Sequence, residues 1–241
     1  HLSLGDILID LGKFKELIIL SKTTLKLQSI NTGDKLLASL RISIGNLIQG
    51  NFSETLLYIN NTNKLIEQGG LNFIKGEKNI KHTLAFSSLV TSLQPKLHKI
   101  NDTSLIEQIP QIGESHCLPY SLQTISIASK LKYLQPILIT GGKAWHFANK
   151  ENNRWKDSLT EQIKKYTSND EIFISFGEID CRKDEGILAY SIKHNKNISE
   201  VCEQTINEYL NYMEEKLAHI FLNRFYFGTP APVLRSEILD E

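Results

Sequence analysis

The sequence predicts an α/β protein. A three-layer domain with a parallel sheet of four or five strands follows an all-α segment of helix hairpins. Three observations carry this. From Ile109 onward, short β-rich runs alternate with helical ones, the order expected of strands joined by crossovers and covered on both faces. Those runs stop at small-residue turns, at Gly113, Gly141 and Gly177. Before residue 100 the apolar residues instead recur at helical spacing, with glycine between successive segments. The expected division is residues 1–100 for the helices and 108–241 for the α/β domain, with the boundary in the polar stretch between them.

In chain order, residues 2–68 read as helix hairpins. Leu4 to Glu16 has helical spacing broken by a turn at Gly12, and Phe14, Leu17, Ile18 and Leu25 form one face of the next helix. The pattern returns 38 residues later, where Gln49-Gly-Asn-Phe-Ser-Glu54 matches Leu11-Gly-Lys-Phe-Lys-Glu16. A repeated hairpin with glycine in its turn resembles tetratricopeptide repeats, whose period is about 34 residues. The resemblance implies an insertion near Ser29 to Asp34 and a surface for a protein partner. Residues 78–94 read as one more helix, stopped by Pro95.

Ile109 to Gly113 reads as the first strand. Leu134 to Thr140 reads as the second, with Pro136 at its start. Asn153 to Tyr166 is helical, with Trp155, Leu159 and Ile163 four apart. Glu171 to Phe176 is a third strand. Ser199 to Leu222 is a long helix with Ile206, Leu210, Met213, Leu217 and Ile220 as its stripe. Arg224 to Gly228 is a last short strand, closed by the prolines ending at Pro232.

Composition narrows the function. With 41% hydrophobic residues the chain can bury a real core, and a formal net charge of zero gives no electrostatic footprint for nucleic acid or an anionic membrane. Of the 27 basic residues 22 are lysine, a poor choice for planar phosphate reading. No apolar run reaches the length of a membrane span. Three cysteines without C-x-x-C spacing argue against a disulfide framework or structural zinc, so a reducing, cytoplasmic setting and no cofactor or metal are expected. The chain starts at His1 within a periodic pattern and ends at Glu241 soon after a Pro-rich turn; both ends read as cuts through a longer protein.

The chemistry concentrates at three strand ends: Gly113-Glu-Ser-His116, Gly141-Gly142 and Gly177-Glu-Ile-Asp-Cys-Arg182. In an open parallel sheet all three fall on the carboxyl edge, where ligands bind. Ser115 is placed where a strand turns into a following segment, either as an N-cap or as a nucleophile. Asp180 is read as a loop or cap residue or as part of the site, and Arg182 as an ion-pair partner of Glu178 or Asp184 or as a compensating donor. The base is the gap. His116 adjoins Ser115, and adjacent side chains seldom meet productively. His146, just past the glycine loop, is the internal candidate, with Trp145 beside it as core packing or a sugar platform.

These blocks resemble the SGNH/GDSL hydrolases over about residues 109–235. The family's Gly-Asp-Ser is similar to Gly113-Glu114-Ser115, its second-strand glycine to Gly141 or, preferably, Gly142, and its Gly-x-Asn-Asp to Gly177-Glu178-Ile179-Asp180, with Ile179 in place of the asparagine that donates to the oxyanion. The family's Asp-x-x-His is missing; Asp240 is followed only by Glu241. The resemblance implies a flavodoxin-like fold and a serine esterase, with a small-molecule or O-acylated glycan substrate. Ser115 would be the nucleophile, Gly142 an oxyanion donor, Asp180 and Glu178 part of the site, and the histidine base would lie beyond Glu241. The rival expectation is a binding module: repeats recruit a protein while a degenerate hydrolase fold holds a ligand.

Overall fold

The computed structural model describes residues 4–101, 107–166, 169–182 and 184–227. Expectations for the prolines after Tyr226 and for Asp240 lie outside these residues. The architecture is mixed α/β, with a five-stranded, mostly parallel sheet. Helices α1 (Leu4–Asp10), α2 (Phe14–Leu25), α3 (Thr32–Gln49), α4 (Phe52–Glu67), α5 (Glu77–Ser92) and α6 (Gln94–Asn101) come first. Strands β1 (Glu107–Gly113), β2 (Thr124–Ile127) and β3 (Lys130–Leu138) follow. Then come α7 (Ala144–Ala148), α8 (Arg154–Ile163), β4 (Asn169–Ser175), α9 (Gly186–His194), α10 (Ile198–Leu217) and β5 (Phe221–Tyr226). The strand order is β2-β3-β1-β4-β5. Among the described residues, no helix is long and apolar enough to cross a membrane.

The chain divides into two compact units, residues His1–Pro110 with Leu118–Ile137, and Gln111–Cys117 with Leu138–Glu241. In the first, the two matching Gly-x-Phe segments hold the same structural place. Gly12 and Gly50 both adopt left-handed φ, +69° and +77°, between one helix and the next. Each is followed two residues later by a phenylalanine, Phe14 or Phe52, that opens the new helix and is buried. Glycine suits the turn because a Cβ there is strained. Gly45 of α3 lets α2 approach closely; a Cβ would lie 2.8 Å from Ile18. The α3 core residues Leu36, Ile42, Leu47 and Ile48 are fully buried. At the end of α3, the buried Gln135 amide donates to the carbonyls of Leu47 and Ile48 at 2.8 and 3.1 Å, satisfying groups that a helix terminus leaves over.

One pair departs from the parallel expectation. β2 and β3 form an antiparallel hairpin, with Ile127 opposite Lys130. Its two turn residues, Ala128 and Ser129, both have positive φ, +48° and +65°. The favoured two-residue turns use Asn-Gly or Asp-Gly, so Ala-Ser carries no hairpin signal in the sequence. β3 therefore starts four residues before the expected Leu134, and Pro136 lies within it rather than at its start.

In the second unit β1, β4 and β5 are parallel, with Gly113 opposite Ser175 and Ile174 opposite Tyr226. Helix α9 was not expected. The buried face of α10 is Val201, Thr205, Tyr209, Met213 and Leu217; Met213 and Leu217 belong to the stripe read from the sequence, but Ile206 is half exposed. Tyr209 accounts for the shift, because its ring packs among Phe147, Phe176 and Tyr226 and carries that face inward despite its hydroxyl.

Candidate functional site

Three chain segments converge at the carboxyl ends of β1, β3 and β4. The convergence is built on close backbone packing. A Cβ on Gly113 would lie 2.6 Å from both the carbonyl and the hydroxyl oxygen of Ser175, so β1 and β4 end flush against each other. Ile139, one residue past β3, donates its N–H to the Gly113 carbonyl at 2.8 Å. Gly142 sits against the Phe176 ring, where a Cβ would meet it at 2.9 Å.

Glu114 is fully buried and organises the first segment. Its carboxylate accepts the Ser115 hydroxyl at 3.1 Å, the His116 backbone N–H at 2.9 Å, and the His116 ring Nδ1 at 2.8 Å. Ser115 itself is half-buried. A fully buried carboxylate is stable only when paired and hydrogen-bonded, and here its own loop supplies the partners. The His116 side chain is 39% exposed, and its Nδ1 also stands 3.5 Å from Glu178. Glu178, nearly buried, receives a two-pronged contact from Arg182, with Nε and Nη2 donating at 3.1 and 2.7 Å. That hydrogen bond is the main cause holding the guanidinium proton more tightly than usual.

Asp180 does different work. Its carboxylate accepts the N–H groups of Ala144 and Trp145 at 2.8 and 3.1 Å and so ties the segment after β4 to the start of α7. Burial raises its pKa above the ordinary carboxylate value, opposed by those two N–H groups. Gly142 donates its N–H to Ile139 at 3.0 Å, so this group is engaged within its own turn. His146 stacks flat on Trp155, ring centroids 3.3 Å apart and 7° from coplanar. Its Nδ1 accepts the Lys143 N–H at 3.2 Å. Trp145 packs against Tyr190 at 4.5 Å.

The structure thus brings Ser115 and Glu178 into one cluster, through Glu114 and His116. It places Asp180 and Gly142 in the supporting turns of the same edge, and gives His146 partners other than Ser115. His116 and Arg182 are the members that sequence reasoning set aside or left open. Residues separated by one position are ordinarily poor partners, but Glu114 folds back over its own loop and reaches both neighbours. Glu114, His116 and Glu178 also each offer a ligand atom, all within 4.8 Å of one another, so the trio can hold a divalent cation that accepts imidazole and carboxylate.

The His146 environment makes one prediction. Burial, with Lys143 and Arg154 nearby, pushes its pKa down from the ordinary 6.5 to about 4. Between these values the unfolded chain binds a proton that the folded chain refuses, so stability falls as pH is lowered through that window. His146→Phe keeps an aromatic stack and loses the Lys143 acceptor equally at every pH. Urea midpoints measured across the window should therefore slope less in this variant than in the parent. An unchanged slope would show that His146 is not the titrating group.

Compared with family models, curated proteins and solved structures, the chain finds no match.

Proposed function

We propose that this chain carries a serine esterase site of SGNH type, acting on a small-molecule or glycan O-acyl ester, with Ser115 as nucleophile. The observation that carries the reading is the Ser115–Glu114–His116 cluster at the carboxyl edge of the sheet, where a hydroxyl and an imidazole share one buried carboxylate. In this reading the Ser115 oxygen attacks the ester carbonyl carbon, and its proton passes to the Glu114–His116 pair. The oxyanion is held by the Ser115 N–H and by the charge of Arg182, which stands in for the asparagine that Ile179 replaces. The proton returns to the departing alcohol. Water, deprotonated by the same pair, then attacks the acyl carbon; the bond to Ser115 breaks, the pair returns the proton to the serine oxygen, and the acid leaves. The helices of the first unit serve in this proposal to dock a protein partner.

The histidines test it. His116→Ala should lower turnover of a generic acetyl ester by about 100- to 10,000-fold, the usual worth of a positioned acid–base group. His146→Ala should leave turnover within a few fold of the parent, because its ring nitrogen is engaged by Lys143. The reverse ranking would make His146 the base and overturn this assignment. A second reading, a non-catalytic binding module, draws on Ile179 and on the Gly142 N–H spent within its turn. Absence of turnover by the parent protein across a panel of acyl esters would favour it.

A further inference from the structure

A cleft of about 450 Å³ lies on the second unit between α8 and α10, and none of the residues argued above for ester chemistry lines it. Three lysines, Lys150, Lys156 and Lys216, and two glutamates, Glu208 and Glu215, line it. Lys156 is unusual among them. It is only 7% exposed, yet among the described residues no carboxylate forms an ion pair with it. Its ammonium donates to the Asn149 carbonyl and stands 4.5 Å from the Tyr212 ring centroid. Glu215, the acid whose charge acts on this ammonium, is engaged by Lys216 at 3.1 Å. A buried ammonium without a counter-charge is costly, and a carbonyl and one ring face satisfy only part of its donor capacity. Burial and then Lys216 pull its pKa down, against the charge of Glu215, which forms no ion pair with it.

We propose that this cleft binds a small oxyanion, a phosphate or carboxylate group carried on a small polar molecule, with Lys156 as its buried charge partner. The cleft is larger than a bare phosphate needs and within the range of small-ligand sites. Asn211 and Lys216 on the α10 wall supply further donors at its rim. The inference is independent of the ester reading, since Ser115 and its neighbours take no part.

Calorimetric titration of the whole protein at low ionic strength tests it. The probes are inorganic phosphate, glucuronate and, as a neutral control, glucose. Saturable binding of phosphate or glucuronate, with glucose silent, is expected; which of the two binds tells the source of the oxyanion. Lys156→Met should weaken binding by about tenfold or more, as loss of a charged hydrogen bond implies. If that variant fails to fold, Lys216→Met decides, with an expected weakening of about threefold from a partly exposed charge. No saturable binding of either anion, equal binding of glucose, or binding unchanged in the folded lysine variants would overturn the proposal.

Discussion

Replacing Ser115 by alanine should lower kcat/KM on a responsive ester by at least about 10,000-fold, the scale on which loss of a nucleophile is felt. The same change should barely affect stability. It deletes one hydrogen bond to Glu114, while the His116 backbone and ring contacts to that carboxylate persist. A single such bond contributes about 1 kcal/mol net. Kinetics together with a urea denaturation curve therefore separate chemistry from folding. If Ser115→Ala kept activity within about tenfold, the attacking group would be water, with Glu114 and His116 as its base, and the acyl-serine step would have to be abandoned.

Gly186→Ala should be the most damaging small substitution near this edge. Gly186 has φ +67°, and a Cβ there would lie 2.4 Å from the Asp180 Cα and 2.6 Å from its carbonyl oxygen. Those neighbours are backbone, so no rotamer change relieves the contact. The left-handed conformation costs a residue with a Cβ about 1–2 kcal/mol, and overpacking adds about 1–3. A loss of more than about 3 kcal/mol is expected, a large share of the 5–15 of a typical domain. Gly177 is the control. Its φ is +125°, yet nothing lies within 4 Å of its added Cβ, so Gly177→Ala carries the conformational cost alone. Equal losses in the two variants would mean that Gly186 and Asp180 are not packed as described. The Gly186 variant should also loosen the Asp180 grip on the start of α7, the contact that holds the segment after β3 in place.

What could be read in advance follows the kind of signal. The ends of β1 and β4 were legible because an apolar run stopping at glycine marks them locally, and the parallel pairing of Gly113 with Ser175 places both ends on one edge. The helical hairpins were legible for a similar reason, since Gly12 and Gly50 are needed where the chain turns left-handed. The inside of α10 was legible only towards its end, at Met213 and Leu217; earlier, hydropathy favours Ile206 while packing selects Tyr209. The role of His116 was hidden by adjacency to Ser115; it depends on a carboxylate long enough to bend back, which a Glu in place of Asp allows. The contact of Glu178 with that cluster joins residues more than sixty positions apart, and no local spacing encodes it. β2 did leave a trace, the alternation Thr124-Ile-Ser-Ile127, but its turn has none of the residues by which hairpins are recognised.

That turn has a consequence for how the protein breathes. Leu122, Ala128 and Ser129 all hold positive φ within eight residues, and each carries a Cβ. β2 is short, lies at the end of the strand order, and alternates exposed with half-buried positions. Beyond the buried Leu122, the arm from Gln123 to Lys130 therefore combines conformational tension with few buried contacts to offset it. Opening it releases that tension at small cost, whereas opening β1 or β4 exposes Ile112, Ile172 and Ile174 to water. Backbone amides of the arm would thus trade hydrogen for deuterium through a local excursion, long before the parallel strands do so by global unfolding.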